Sequence, residues 1–190
     1  MATGLEHNKV TIRATWVVAI ISTIIWSLTG YFSIFLGTTI GCFSGMLITP
    51  DLDQENVTRS QWILVKKTGG LGWLWVWIWW PYAVLIPHRH FISHFPVISS
   101  VIRFSYLRIV RYLWVGSLIF VSEEFHTFVQ GLFSQIPWQY HLSFLVGLIV
   151  SDTLHWFMDM KPIWLKNRIK KREIKFQRKY DSHTWERVND

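Results

Sequence analysis

"HLSFLVGLIVSDTLHWFMDM", residues 141–160, runs from an uncharged apolar stretch straight into Asp152, His155 and Asp159 with no polar spacer. The uncharged part has the composition of a helix that is buried or crosses a bilayer. On a helix each residue advances about 100°, so positions i, i+3 and i+7 fall within roughly 60° of one another. The three polar side chains therefore share one stripe at the end of an apolar helix. Burying an unpaired carboxylate costs several kcal/mol, and two on one stripe also repel each other. The stripe demands a positive partner: a Lys or Arg, a proton, or a metal ion. Its own helix has no basic residue before Lys161.

Working outward, the same segregation recurs. No Lys or Arg occurs in residues 14–58 or 112–160. Residues 14–49 are free of charge over about twice the length one membrane helix requires, with a break at "TGYF" (29–32), so two helices joined by a tight turn are predicted. A third span combines the charge-free residues 112–121 with the preceding turns, where Arg108 and Arg111 can snorkel on their long stems. The fourth runs from about Trp138 to Met158. Between these two, "SEEFHTFVQGLFSQIPWQYH" (122–141) reads as a loop with a short interfacial helix, and His126 and His141 as ordinary interface histidines. "LGWLWVWIWWPYAVLIP" (71–87) is short, rich in Trp and interrupted by Pro81, and it reads as an interfacial helix with Trp62 and the tryptophans of 73–80 as anchors.

The expected fold is therefore all-α: a helical membrane protein with about four transmembrane helices, one Trp-rich interfacial helix and a basic C-terminal helix. Residues 1–160 form a membrane-associated metal-binding domain and 161–190 a basic cytoplasmic tail. A length of 190 residues fits one such domain. The alternative is a soluble helical protein with buried apolar helices. The single Cys42 excludes an intrachain disulfide, and Glu6 ahead of the first apolar run, with no clear cleavage site, argues against a cleaved signal peptide. The tail "KNRIKKREIKFQRKY" (166–180) suits anionic lipid headgroups because it adjoins a membrane helix, and no nucleic-acid partner is expected. With residues 71–87 in the interface, His7, "PDLD" (50–53), "HRHFISH" (88–94) and the Asp152 stripe all fall on one side. Lys9, Arg13, Arg59, Lys66, Lys67, Arg89 and Arg103 fall there too, which makes that side the cytoplasmic face of the inner (plasma) membrane.

Each polar cluster has an ordinary reading: "PDLD" as a turn that caps a helix, the histidines as an interfacial segment, His7 as a surface residue. Their coincidence at one end of the apolar segments points instead to metal. His7, Asp51, Asp53, His88, His94, Asp152, His155 and Asp159 make eight potential ligands. One tetrahedral zinc takes four, so either two bridged ions or one ion with outer partners fits. Imidazole with carboxylate suits zinc, manganese, iron or nickel.

The order His7, "SGMLITPDLD", "WWPYAVLIPHRHFISHFP", "SDTLHWFMD" resembles a family of prokaryotic proteins described as metal-binding and of unknown function. More distantly it is similar to membrane-bound metal-dependent hydrolases sometimes called LexA-binding inner-membrane-associated hydrolases. The resemblance covers most of residues 5–160 and carries over to the eight ligands and Arg89. His90 falls at a variable position, and the distant hydrolases space the two histidines of this motif one residue closer. The resemblance implies metal binding in a membrane protein. The leading expectation is a hydrolase of a phosphoester or related bond at the inner leaflet, with Arg89 holding the anion and Asp51 or Asp53 bridging the ions, and membrane lipid as the natural substrate. The alternative is a non-catalytic structural or sensing site. A transporter ranks last, because the apolar runs lack ionisable residues near their middles.

Overall fold

The computed structural model describes residues 4–53, 57–86 and 91–159, and every regular element among them is helical. The basic tail lies outside the described residues. In chain order the helices are α1 (Gly4–Thr29), α2 (Phe32–Ser44), α3 (Arg59–Lys67), α4 (Gly72–Leu85), α5 (Phe91–His94), α6 (Pro96–Ser117), α7 (Glu123–Ser134) and α8 (Trp138–Asp159). Single 3-10 turns occupy Pro50–Asp53 and Leu118–Phe120.

The "TGYF" break is a glycine-terminated helix end. Gly30 takes φ +77°, a left-handed conformation that side chains disfavour, and its N–H closes onto the Trp26 carbonyl at 2.7 Å. The Trp26 and Phe32 rings meet edge-on across the turn at 5.0 Å. The chain thus reverses, and α2 packs between α1 and α8, with α6 on the other side of α8.

The closest approach is that of α2 and α8. Gly37 and Gly41 on α2 and Gly45 at its C-cap recur every fourth residue and meet Ser143, Phe144 and Ser151 of α8, while Gly147 meets Thr38 and Cys42 in return. A Cβ added at Gly41 would overlap the Phe144 backbone, and one at Gly147 the Thr38 carbonyl. Small residues at this spacing let two backbones touch, the usual basis of tight packing between helices in lipid. Gly147→Ala is therefore expected to destabilise by about 2 kcal/mol through overpacking. Gly131→Ala, where a Cβ meets open space, is expected to stabilise by roughly 0.5–1 kcal/mol through helix propensity. Chemical denaturation of both variants in detergent checks this; equal effects would refute the close contact.

Trp-rich α4, expected as an interfacial helix, contributes to the core. Trp75, Trp79 and Tyr82 lie at i, i+4 and i+7 and share one face. Trp79 is 1% exposed and Tyr82 2%, packed with Ile48, Leu52 and Leu148 in the core. The Trp79, Tyr82 and Tyr106 rings sit 5.3–5.4 Å apart, and the Tyr106 hydroxyl donates to the Ile78 carbonyl. Trp73, Trp77 and Trp80 are exposed, whereas Trp79, expected among the anchors, is not. Nor does Pro81 interrupt the element: the helix runs through it to Leu85 despite the missing N–H. Within 122–141, where a loop with a short helix was expected, α7 is twelve residues long. The Ser122 hydroxyl caps it by accepting from the Phe125 N–H, and Glu123 and Glu124 lie in the first turn, where the helix dipole favours them.

Of the four expected spans, two are long and apolar enough to cross a membrane: His7–Thr29 within α1, and α8. α2 is apolar but only 13 residues long, and the 22 residues of α6 include Arg103, Arg108 and Arg111.

Candidate metal centre

Four separate segments bring polar side chains to one end of the bundle. His7 lies on the first turns of α1, and His155 and Asp159 lie one turn apart at the end of α8. The 3-10 turn places Asp51 and Asp53 on either side of Leu52, which is 2% exposed and plugs into the core. His94 closes α5, just before Pro96 opens α6.

The tightest group is His7, His155 and Asp159, whose candidate ligand atoms all lie within 4.8 Å of one another. The two imidazoles stack at 3.8 Å and 14°. Asp159 approaches His7 Nε2 at 3.6 Å and His155 Nε2 at 3.4 Å, and Asp51 reaches His155 Nε2 at 3.7 Å. A second pair, Asp53 and His94, stands at 3.7 Å through His94 Nδ1, to which Ser93 Oγ also comes within 2.9 Å. Burial holds the His94 imidazole below its ordinary pKa, against the opposing pull of Asp53 and Asp51, and so keeps a ring nitrogen lone pair available.

Three features fit a divalent ion here. His155 Nε2 and Asp159 Oδ1, which face the shared space, are buried with no hydrogen-bond partner among the described residues; each such atom costs about 1–3 kcal/mol if nothing engages it. The His7 nitrogen that approaches Asp159 is Nε2, its Nδ1 being the one without such a partner. The 3.4–3.7 Å separations are long for hydrogen bonds but near the roughly 3.4 Å between two ligands held about 2.1 Å from a tetrahedral ion. Mixed imidazole and carboxylate donors are also the set that zinc, manganese, iron and nickel accept.

Asp152 has a different surrounding from the rest of its stripe. Its Oδ2 accepts from Arg103 Nη2 and from the Ser100 hydroxyl. Arg103 is fully buried and also donates to the Ser99 hydroxyl at 2.8 Å, the Ser99 carbonyl at 3.3 Å and the Ile48 carbonyl. The counter-charge that α8 lacks thus comes from α6. Sequence reasoning placed Arg103 among the basic residues of the cytoplasmic side; the missed signal was Ser99, Ser100 and Arg103 on one helical face at i, i+1 and i+4. Asp152 Oδ1 is itself buried without a hydrogen-bond partner among the described residues. Of the expected site, His7, Asp51, Asp53, His94, Asp152, His155 and Asp159 are described and meet at one end of the bundle. His88, Arg89 and His90 lie outside the described residues.

The family described as uncharacterized metal-binding protein (DUF2227) matches residues 2–171, nearly the whole chain. The chain belongs to this family. No curated protein matches it, and neither does any solved structure, so the expected distant similarity to membrane-bound hydrolases gains no support.

Proposed function

We propose that this member of an uncharacterized metal-binding family holds one or two divalent ions at the cytoplasmic face of a bilayer and hydrolyses a phosphoester or related bond there. The observation that carries the metal reading is the convergence of His7, His155 and Asp159, with His155 Nε2 and Asp159 Oδ1 buried and lacking hydrogen-bond partners among the described residues. His7, His155 and Asp159 would hold one ion, with Asp51 alongside; Asp53 and His94 would hold a second or position the first. Such an ion supplies Lewis acidity and a water of lowered pKa. The side chains of Asp51, Asp159 and His94 are 27%, 19% and 19% exposed, so one side of the group stays open to a substrate. Arg89 is proposed to hold the anionic group of that substrate.

The bilayer placement draws support from the surface. Trp16, Leu28, Trp77, Leu113 and Phe120 are between 70% and 91% exposed, large apolar side chains that a bilayer would cover. In this reading α1, α2, α6 and α8 cross, and Arg103 is neutralised within α6 and α8 by Asp152.

Elemental analysis of the detergent-purified chain, joined to assays on phosphomonoester, phosphodiester and phospholipid substrates, tests the proposal. The expected result is at least one divalent ion per chain together with turnover, and a fall of about 100-fold in that turnover in Asp51→Asn while the fold is kept. Metal without turnover on any ester leaves a binding site as the function, a reading favoured by the near-complete burial of His7 and His155. Absence of metal overturns both.

A further inference from the structure

At the opposite end of α8 the bundle carries a second polar site that the metal chemistry does not use. A cavity of about 510 Å³ between α6, α7 and the start of α8 is lined by Arg108, Arg111, His126 and His141 among others. An apolar groove of about 390 Å³ between α2, α6 and α8 shares Arg108, Arg111 and His141 with it and is otherwise walled by residues such as Leu36, Ile40, Leu107 and Phe144. His141 precedes His155 by 14 positions, which puts this site about 21 Å along α8 from the metal group.

We propose that the two cavities together bind one anionic phospholipid, its phosphate on Arg108 and Arg111 and an acyl chain in the groove. Charge complementarity selects this occupant. Arg108 and Arg111 lie three positions apart on one helical face, both half-buried, and neither has a carboxylate partner among the described residues. Their contacts are aromatic instead. The Arg111 guanidinium sits 4.7 Å from the Tyr112 ring centre and 5.1 Å from that of Phe133, and Arg108 Nη2 reaches the Tyr112 hydroxyl at 3.5 Å. These contacts hold the side chains in place and leave both charges unneutralised. No carboxylate lines either cavity. Guanidinium forks match phosphate oxygens in pairs, and a groove continuous with them offers the apolar cover that a free phosphate would not need. The site rests on the bilayer placement proposed above, not on the metal chemistry.

The test uses the full chain, delipidated in detergent and titrated with phosphatidylglycerol, phosphatidylcholine or inorganic phosphate under native mass spectrometry. The wild type is expected to prefer phosphatidylglycerol to phosphatidylcholine by about tenfold or more, and Arg108→Gln/Arg111→Gln to lose the preference. Ile40→Trp, at an exposed groove position, is expected to weaken phosphatidylglycerol binding while melting temperature and metal content stay unchanged. Equal binding of the two lipids, or full phosphatidylglycerol binding by either variant, overturns the proposal. So does phosphate binding as tight as lipid and indifferent to Ile40→Trp, which would mark an ion subsite only. A chain that partitions into membranes without headgroup preference sinks this site and leaves the bilayer placement intact.

Discussion

Arg103→Ala is expected to destabilise the chain by about 3–5 kcal/mol, the cost of leaving a buried carboxylate without its partner. Arg103 is wholly buried, and its guanidinium joins Asp152 on α8, Ser99 on its own helix and the Ile48 carbonyl ahead of the 3-10 turn. Removing it frees an acceptor in each of three segments at once. The informative comparison is Arg103→Met with Asp152→Leu. If the pair is structural, the double variant recovers most of the lost stability, since apolar residues of similar volume replace buried ion pairs at little cost, and it keeps its metal. Denaturant titration in detergent with elemental analysis reads both. A stable double variant stripped of metal would instead assign the second oxygen of Asp152 to the ion.

Much of this arrangement was legible in the chain because it follows from local rules. The helical stripe of Asp152, His155 and Asp159, the reversal at Gly30 and the gathering of His7, Asp51, Asp53 and His94 at one end all come from spacing and from the alternation of apolar segments. What escaped was set by packing between segments. The partner of Asp152 sits 49 residues away on another helix, and nothing local distinguishes that arginine from a snorkelling one. Trp79 is indistinguishable from Trp77 by composition; only the helical period shared with Trp75 and Tyr82 separates the buried ring from the exposed one. The four-residue repeats Gly37, Gly41, Gly45 and Ser143, Gly147, Ser151 were present in the letters, but an apolar stretch read for hydropathy hides its small residues, and their meaning appears only when the two repeats face each other.

His155→Ala is expected to reduce metal affinity by at least about 100-fold, more than any other single change at the centre. His155 is the node of the group: it stacks on His7, lies 3.4 Å from Asp159 and 3.7 Å from Asp51, and its Nε2 is buried without a hydrogen-bond partner among the described residues. His94→Ala removes a donor from the Asp53 pair only, so the loss there is expected to be closer to tenfold, and a fall in stoichiometry from two ions to one would identify that pair as a second site. Stability supplies an independent readout. An ion held at about 100 times its Kd adds roughly 2.7 kcal/mol to the folded state, which for a chain of this size raises Tm by about 5–10 °C. A chelator should therefore lower the Tm of the wild type by that amount and leave His155→Ala almost unmoved. A His155→Ala protein with a full metal load and an undiminished chelator response would remove the α8 histidine from the centre, and with it the argument that His7 and Asp159 approach each other around a shared cation.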